Sequence, residues 1–282
     1  MPPRNIPSAS PPDFPCRLPS RRCGWSLLLP THRRTVVAKT PLLVALGSYL
    51  AGARSPRLLL VTMALAALLW TVLYALNEAT DLREEQGLRI SPGVWLTIGF
   101  ALAALSLVGA LISTRLALLM TAMVLGQCLY CMPPARIKRR WWAFTLLSGA
   151  VNPILRVQCG AILGAAAIPA PAYIACVCLH VGASLKTRVM QRKRDRELGY
   201  SAAPAGAEPV GIVCTVLGFW HGAALCVDGA LPRLLLAPAV AAAAWSVYAW
   251  SGKVTSMDGL RRGWLPFALL SLFCLGALLT SR

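Results

Sequence analysis

From residue 35 onward the chain alternates long apolar runs with short clusters of charged, Pro and Gly residues. The runs fall near 35–53, 57–77, 93–112, 116–132, 141–166, 168–185, 209–228, 231–251 and 263–280, nine in all. Each is close to the ~20 residues that a helix needs to cross ~30 Å of hydrocarbon. Lipid offers no partner to backbone N–H and C=O groups, so helices that satisfy them internally are the expected spanning form. The pattern therefore predicts an all-α, polytopic membrane protein, a bundle of nine transmembrane helices over residues 31–282.

Composition supports this reading. Of the 282 residues, 57% are hydrophobic and 13% charged, outside the range of an ordinary water-soluble domain. A net charge of +18 raises the possibility of a nucleic-acid partner, but the 28 Lys and Arg are confined to short runs between apolar stretches, so none is expected. Most of the ten Cys fall in or beside apolar segments and read as small buried residues. Cys128 and Cys131 form a CxxC without a second pair at zinc spacing. Residues 1–30, rich in Pro, Ser and Arg, lack the apolar core and cleavage site of a signal peptide and are expected to be a retained, disordered basic tail.

Charge also orients the bundle. With nine spans, 22 of the 28 Lys and Arg fall on one side, in the tail through Lys39, the Arg83–Arg89 segment, Arg136–Arg140, Lys186–Arg196 and Lys253–Arg262. Five lie opposite and Arg156 lies within a span. The positive-inside rule places the richer side and the N-terminus in the cytoplasm, with the plasma membrane as the expected location. Glu78, Asp81, Glu84, Glu85, Asp195, Glu197 and Asp258 share that side, and Asp228 is the one acid clearly opposite.

Three segments on that side stand out. After the second run come Asn77, Glu78, Asp81, Glu84 and Glu85, whose spacing puts an amide and four carboxylates on one face if the helix continues past Asn77. Crowded carboxylates repel one another, and hard oxygen donors with room for water suit Mg²⁺; a solvated helix end neutralised by Arg83 and Arg89 is the plainer explanation. After the fourth run comes Tyr130-Cys-Met-Pro133-Pro134-Ala-Arg136-Ile-Lys138-Arg139-Arg140, and after the sixth a basic stretch from Lys186 to Tyr200 containing Gln191, Asp195 and Gly199. Either basic segment could serve as a topogenic or headgroup anchor.

Together these segments resemble the UbiA superfamily of intramembrane prenyltransferases. The family pattern N-D-x-x-D-x-x-x-D after the second helix is similar to Asn77-Glu78-x-x-Asp81-x-x-x-Glu85. A Tyr-x-x-Pro-Pro-x-Arg-x-Lys-Arg stretch is matched by Tyr130, Pro133, Pro134, Arg136, Lys138 and Arg139. Gln191-x-x-x-Asp195-x-x-x-Gly199 stands where the family has a second acidic motif. The departures are Glu at 78 and 85, Gln at 191, and a shortened Arg89-Ile-Ser91-Pro92-Gly93.

The resemblance implies a nine-helix fold and transfer of an isoprenyl group from a prenyl diphosphate to an aromatic or other lipid-accessible acceptor. Mg²⁺ is the implied cofactor, and neutralising the leaving diphosphate favours ionisation to an allylic cation. The implied metal ligands are Asn77, Glu78, Asp81, Glu85 and Asp195, with Asn77, Asp81 and Asp195 catalytic. Arg34, Arg136, Lys138 and Lys186 are the implied diphosphate ligands. Arg156, with Asn152 and Gln158, either lines an acceptor pocket or is paired structurally. His180 and His221 are candidate bases or interhelical hydrogen-bonding groups. A terpene cyclase of the same superfamily, and a non-catalytic scaffold or transporter, are the competing readings.

Overall fold

The computed structural model describes residues 39–280 apart from residue 86. Arg34 and the tail expected at residues 1–30 lie outside the described residues. Each of the nine apolar stretches contains helix. The elements are α1 (Lys39–Leu50), α2 (Pro56–Glu85), α3 (Pro92–Ile112), α4 (Thr114–Cys131), α5 (Trp141–Leu146), α6 (Asn152–Ala161), α7 (Ala170–Met190), α8 (Arg192–Glu197), α9 (Ala207–Val227), α10 (Leu236–Tyr248) and α11 (Met257–Thr280). Among the described residues, α2, α3, α4, α9 and the segment 233–253 are long and apolar enough to cross a membrane.

Local chemistry sets several boundaries. Proline at the first turn of α3 and α7 costs no hydrogen bond there, and the Ser113 hydroxyl accepts from the Arg115 N–H at the start of α4. The expected 141–166 span is not one uniform helix. A π turn over Leu147–Val151 joins α5 to α6, and α6 ends at Ala161. A second π turn, Ala249–Lys253, ends the 233–253 segment, where Gly252 takes a positive φ of 81°.

The outside of the bundle is as apolar as its inside. Leu96, Phe100, Leu107, Leu111, Trp220 and Phe273 are all more than half exposed, a surface that suits lipid rather than water. The shared core packs Val44 of α1, Leu69, Trp70 and Leu73 of α2, Met120 and Met123 of α4, and Leu275 of α11. Burial alone holds such helices weakly, because lipid tails are no less apolar than Leu, so close packing and interhelical hydrogen bonds matter more. The α1–α6 contact shows both. A Cβ at Gly47 or Gly160 would overlap the facing Val157 or Val44 carbonyl, and the Ser48 hydroxyl donates to the Gly160 carbonyl at 3.2 Å.

Candidate active site at the charged face

The helix does continue past Asn77: α2 runs as one piece to Glu85. This puts Asn77 and Asp81 one turn apart, and the Asn77 amide donates to Asp81 Oδ2 at 2.9 Å. Thr80, on the same turn, returns its hydroxyl to the Asn77 carbonyl at 2.7 Å and so does not compete for Asp81. Asn77 is 4% exposed, and its Oδ1 is a buried acceptor with no hydrogen-bond partner. Glu78 is half-buried on the same helix, while the side chain of Glu85 lies outside the described residues.

The loop after α4 supplies cations to this face. Arg136 takes a left-handed conformation (φ 42°) beyond the cis Pro133–Pro134 bond, and the 3₁₀ turn Ile137–Arg139 follows. Lys138 Nζ lies 2.6 Å from Asp81 Oδ1 and 3.5 Å from Glu84 Oε2. Arg136 Nε is 3.1 Å from Glu84 Oε1, and Arg139 Nη2 is 3.5 Å from Glu84 Oε2. Burial pulls the Lys138 pKa down, but Asp81 and Glu84 outweigh it and hold the ammonium above its ordinary value. Lys138 is therefore charged where it meets Asp81.

The other acid sits in a tighter frame. Asp195, on α8, accepts from Arg188 Nη1 at 3.2 and 3.3 Å through its two oxygens. The Arg188 guanidinium lies 3.9 Å over the Phe144 ring, and its Nη2 donates to the Lys138 carbonyl at 2.7 Å. The segment after α8 is tied in by Tyr200 N–H to the Asp195 carbonyl at 2.7 Å and Ser201 N–H to the Arg139 carbonyl at 2.8 Å. Lys138 thus joins the two motifs, with its ammonium on Asp81 and its carbonyl on Arg188.

The remaining candidates are dispersed. Lys186 is buried against the Trp250 ring, 5.0 Å from its centroid; burial pushes the ammonium down and Glu208 partly offsets this. Asn152 and Arg156 are both buried, one turn apart on α6. The Arg156 guanidinium lies 3.7 Å over the Trp70 ring of α2, with Tyr74 as its polar neighbour. Gln158 bonds instead to the Tyr173 hydroxyl. His180 faces the Cys176 carbonyl of its own helix at 2.8 Å, so the interhelical bond expected of it is replaced by a local one. His180 also lines an apolar cavity of about 240 Å³ between α1, α7, α9, α10 and α11, with Lys39 and Trp264 also on its wall.

The structure brings together Asn77, Asp81, Lys138 and Arg136, and couples Asp195 to them through Arg188. Two members escaped the sequence reading. Glu84 was recognisable only as one acid on a crowded face, and Arg188 only as one of six basic residues from Lys186 to Arg196. Among the described residues, no three His, Cys, Asp or Glu side chains form a metal-binding group. The donor set on α2 nevertheless suits a hard cation in kind, since Asn77 Oδ1 is orphaned and Asp81 is a carboxylate at the same spot. Asp195 faces Arg188 Nη1 with both oxygens.

These features define a helical integral membrane protein with a charged, partly buried site at one end. Its fold is that of known UbiA homologs. It matches a UbiA homolog from Archaeoglobus fulgidus bound to DMAPP and Mg²⁺ with a TM-score of 0.70 and 16% identity, covering 91% of this chain and 99% of that one. Structures of a UbiA homolog from the same organism bound to Cd²⁺ (TM-score 0.69, 18% identity, 91% and 100% covered) and without a stated ligand (0.65, 17%, 91% and 98%) match similarly. No protein-family model matches the sequence, and no curated protein matches it. The fold resemblance read from the sequence is thereby borne out.

Proposed function

We propose that this chain is a divergent member of the UbiA superfamily that transfers an isoprenyl group from a prenyl diphosphate to a lipid-accessible acceptor. The observation carrying this reading is the corner formed by Asn77, Asp81 and Lys138, where an orphaned oxygen, a carboxylate and several cations meet at the end of an apolar bundle. The similar protein bound to DMAPP and Mg²⁺ supports it.

Asn77 Oδ1 and Asp81, with Glu78 and Glu85 beside them in sequence, would hold Mg²⁺. When bound, that ion neutralises charge on the leaving diphosphate and so favours departure of the allylic group. Arg136, Lys138 and Arg139 form the basic wall that meets the phosphate oxygens, and Arg34, outside the described residues, is a further candidate by sequence alone. The apolar cavity between α1, α7, α9, α10 and α11 is the room proposed for the isoprenyl tail, where water is excluded. The Lys and Arg distribution over nine crossings supports a cytoplasmic charged face, and the plasma membrane is the proposed location.

The test is product analysis by mass spectrometry on membranes carrying the protein, supplied with Mg²⁺ and prenyl diphosphates of several lengths, with and without acceptors. Diphosphate release that requires an acceptor supports transfer. Release without one, with a cyclic hydrocarbon product, identifies a terpene cyclase instead. No turnover with any donor overturns both enzyme readings and leaves a scaffold or transporter.

A further inference from the structure

Glu84 is the acid on which the basic loop after α4 converges, and it stands outside the spacing that singles out Asn77, Glu78, Asp81 and Glu85. Arg136 Nε approaches its Oε1 at 3.1 Å, and Lys138 Nζ and Arg139 Nη2 each approach its Oε2 at 3.5 Å. Charge-assisted hydrogen bonds to a carboxylate run to about 2.7–2.9 Å. Lys138 makes a short bond of that kind with Asp81, at 2.6 Å. Glu84 does not match it: its Oε2 and the Arg136 Nε are both buried without a hydrogen-bond partner. Three cations thus share one carboxylate by charge more than by hydrogen bonds.

The loop keeps its shape through other contacts. Arg136 N–H donates to the Met132 carbonyl at 3.1 Å, Arg139 N–H to the Arg136 carbonyl at 3.0 Å, and Ser201 N–H to the Arg139 carbonyl at 2.8 Å. Arg188 Nη2 holds the Lys138 carbonyl at 2.7 Å, and the Arg139 guanidinium lies 5.4 Å from the Tyr200 ring centroid. A carboxylate that bonds its cations poorly and leaves their backbone to other partners contributes mainly its charge. The Glu84 side chain is also well covered, whereas those of Arg136 and Arg139 are partly exposed, so a ligand can reach the cations from outside.

We propose that Glu84 is a placeholder anion, which stands in for a phosphate among Arg136, Lys138 and Arg139 in the ligand-free protein and yields those cations when a diphosphate binds. This rests on the prenyl-transfer reading and adds to it a control on affinity and release. A phosphoryl group brings three oxygens and more than one charge, so it answers three converging donors better than the two oxygens of a carboxylate. Once displaced, Glu84 swings on a flexible arm in the last turn of α2. On returning, it competes with the product diphosphate for the same cations. Glu84 therefore lowers the affinity for donor and product alike, and its effect on turnover lies in release.

The experiment is calorimetric titration of the detergent-purified full chain with inorganic pyrophosphate in EDTA, so that neither metal nor turnover enters. In Glu84→Gln, which keeps the shape and removes the charge, pyrophosphate should bind about tenfold more tightly than in the unaltered chain. Glu84→Asp, whose arm is one methylene shorter, should tighten binding by a smaller factor. A prenyl thiolodiphosphate should follow the same order. Without ligand, Glu84→Gln should melt below the unaltered chain, and saturating pyrophosphate should close the gap. Where turnover is detected, Glu84→Gln should show a lower KM for the donor, a lower kcat and stronger inhibition by pyrophosphate. Unchanged or weaker pyrophosphate binding in Glu84→Gln overturns the inference; Glu84 then serves to orient the cations. Should Glu84→Gln fail to fold, Glu84→Asp decides by the same criterion. Absence of pyrophosphate binding in every chain overturns the inference and the diphosphate assignment together. Tightening in Glu84→Gln without transfer from any donor removes the proposed reaction and leaves the placeholder standing.

Discussion

The two acidic corners of the charged face use the same residue types and differ in how far they are closed. At Arg188 and Asp195 the side chains are 6% and 4% exposed, both carboxylate oxygens face the guanidinium, and Phe144 covers that guanidinium. At the α2 corner, Asp81 is 22%, Arg136 30% and Arg139 42% exposed, and an amide oxygen has no partner. The buried pair engages both carboxylate oxygens of its acid, leaving only the Arg188 Nε without a partner, so the acid has little left for a ligand. An open corner with surplus donors on one wall and an orphaned acceptor on the other can rearrange around one. On that difference we propose a structural role for Asp195 and ligand binding for Asp81, although motif position alone would treat them as equals.

The sharpest way to break this comparison is Asp195→Ala, which strands a buried guanidinium and should cost about 3–5 kcal/mol of stability, read as a lower melting temperature in detergent. The double change Arg188→Met with Asp195→Leu should recover most of that loss. If Asp195→Asn instead abolishes diphosphate release and leaves melting unchanged, Asp195 is a functional ligand and the contrast fails. Next in size is Asp81→Asn, nearly isosteric, which should lower turnover by about 10²–10³-fold as expected for removing a group that stabilises developing charge. Its melting temperature should stay near that of the unaltered chain.

A smaller effect concerns Lys138, whose ammonium occupies Asp81 Oδ1. Lys138→Met should tighten Mn²⁺ binding, followed by electron paramagnetic resonance, by about tenfold if one opposing charge worth ~1.4 kcal/mol is removed. It should weaken prenyl diphosphate binding in the same preparation. Unchanged Mn²⁺ affinity would mean that Lys138 and the metal do not compete. Smallest of all, Glu78→Asp, which restores the family residue, should alter turnover only a few-fold, because the charge is kept and a single methylene in a half-exposed arm is removed.

The sequence revealed the parts governed by local spacing or by solvent. Apolar runs long enough for lipid marked the helices, and the three- and four-residue spacing from Asn77 to Glu84 marked the face on α2. The Arg136–Arg139 loop was legible as a site element because its residue order resembles a known motif. Which acid each cation meets was not legible. Lys138 and Asp81 are 57 residues apart, and Arg188 selects Asp195 through a helix end whose geometry depends on its packing against Phe144. The local His180 bond was missed for the opposite reason: a side chain that can reach its own preceding turn needs no second helix.

The π turn at Leu147–Val151 bears on how such a site can change over generations. A wider turn adds one residue to the helix, and one residue is about 100° of rotation. Everything after it, including Asn152 and Arg156, is out of phase with what precedes it. Losing one codon within that turn would shorten the span by only ~1.5 Å yet swing Arg156 away from Trp70 and bring different side chains inward. The face of α6 that carries Asn152 and Arg156 can thus be re-aimed by a single deletion, while Asn77, Asp81 and Lys138 lie on other elements.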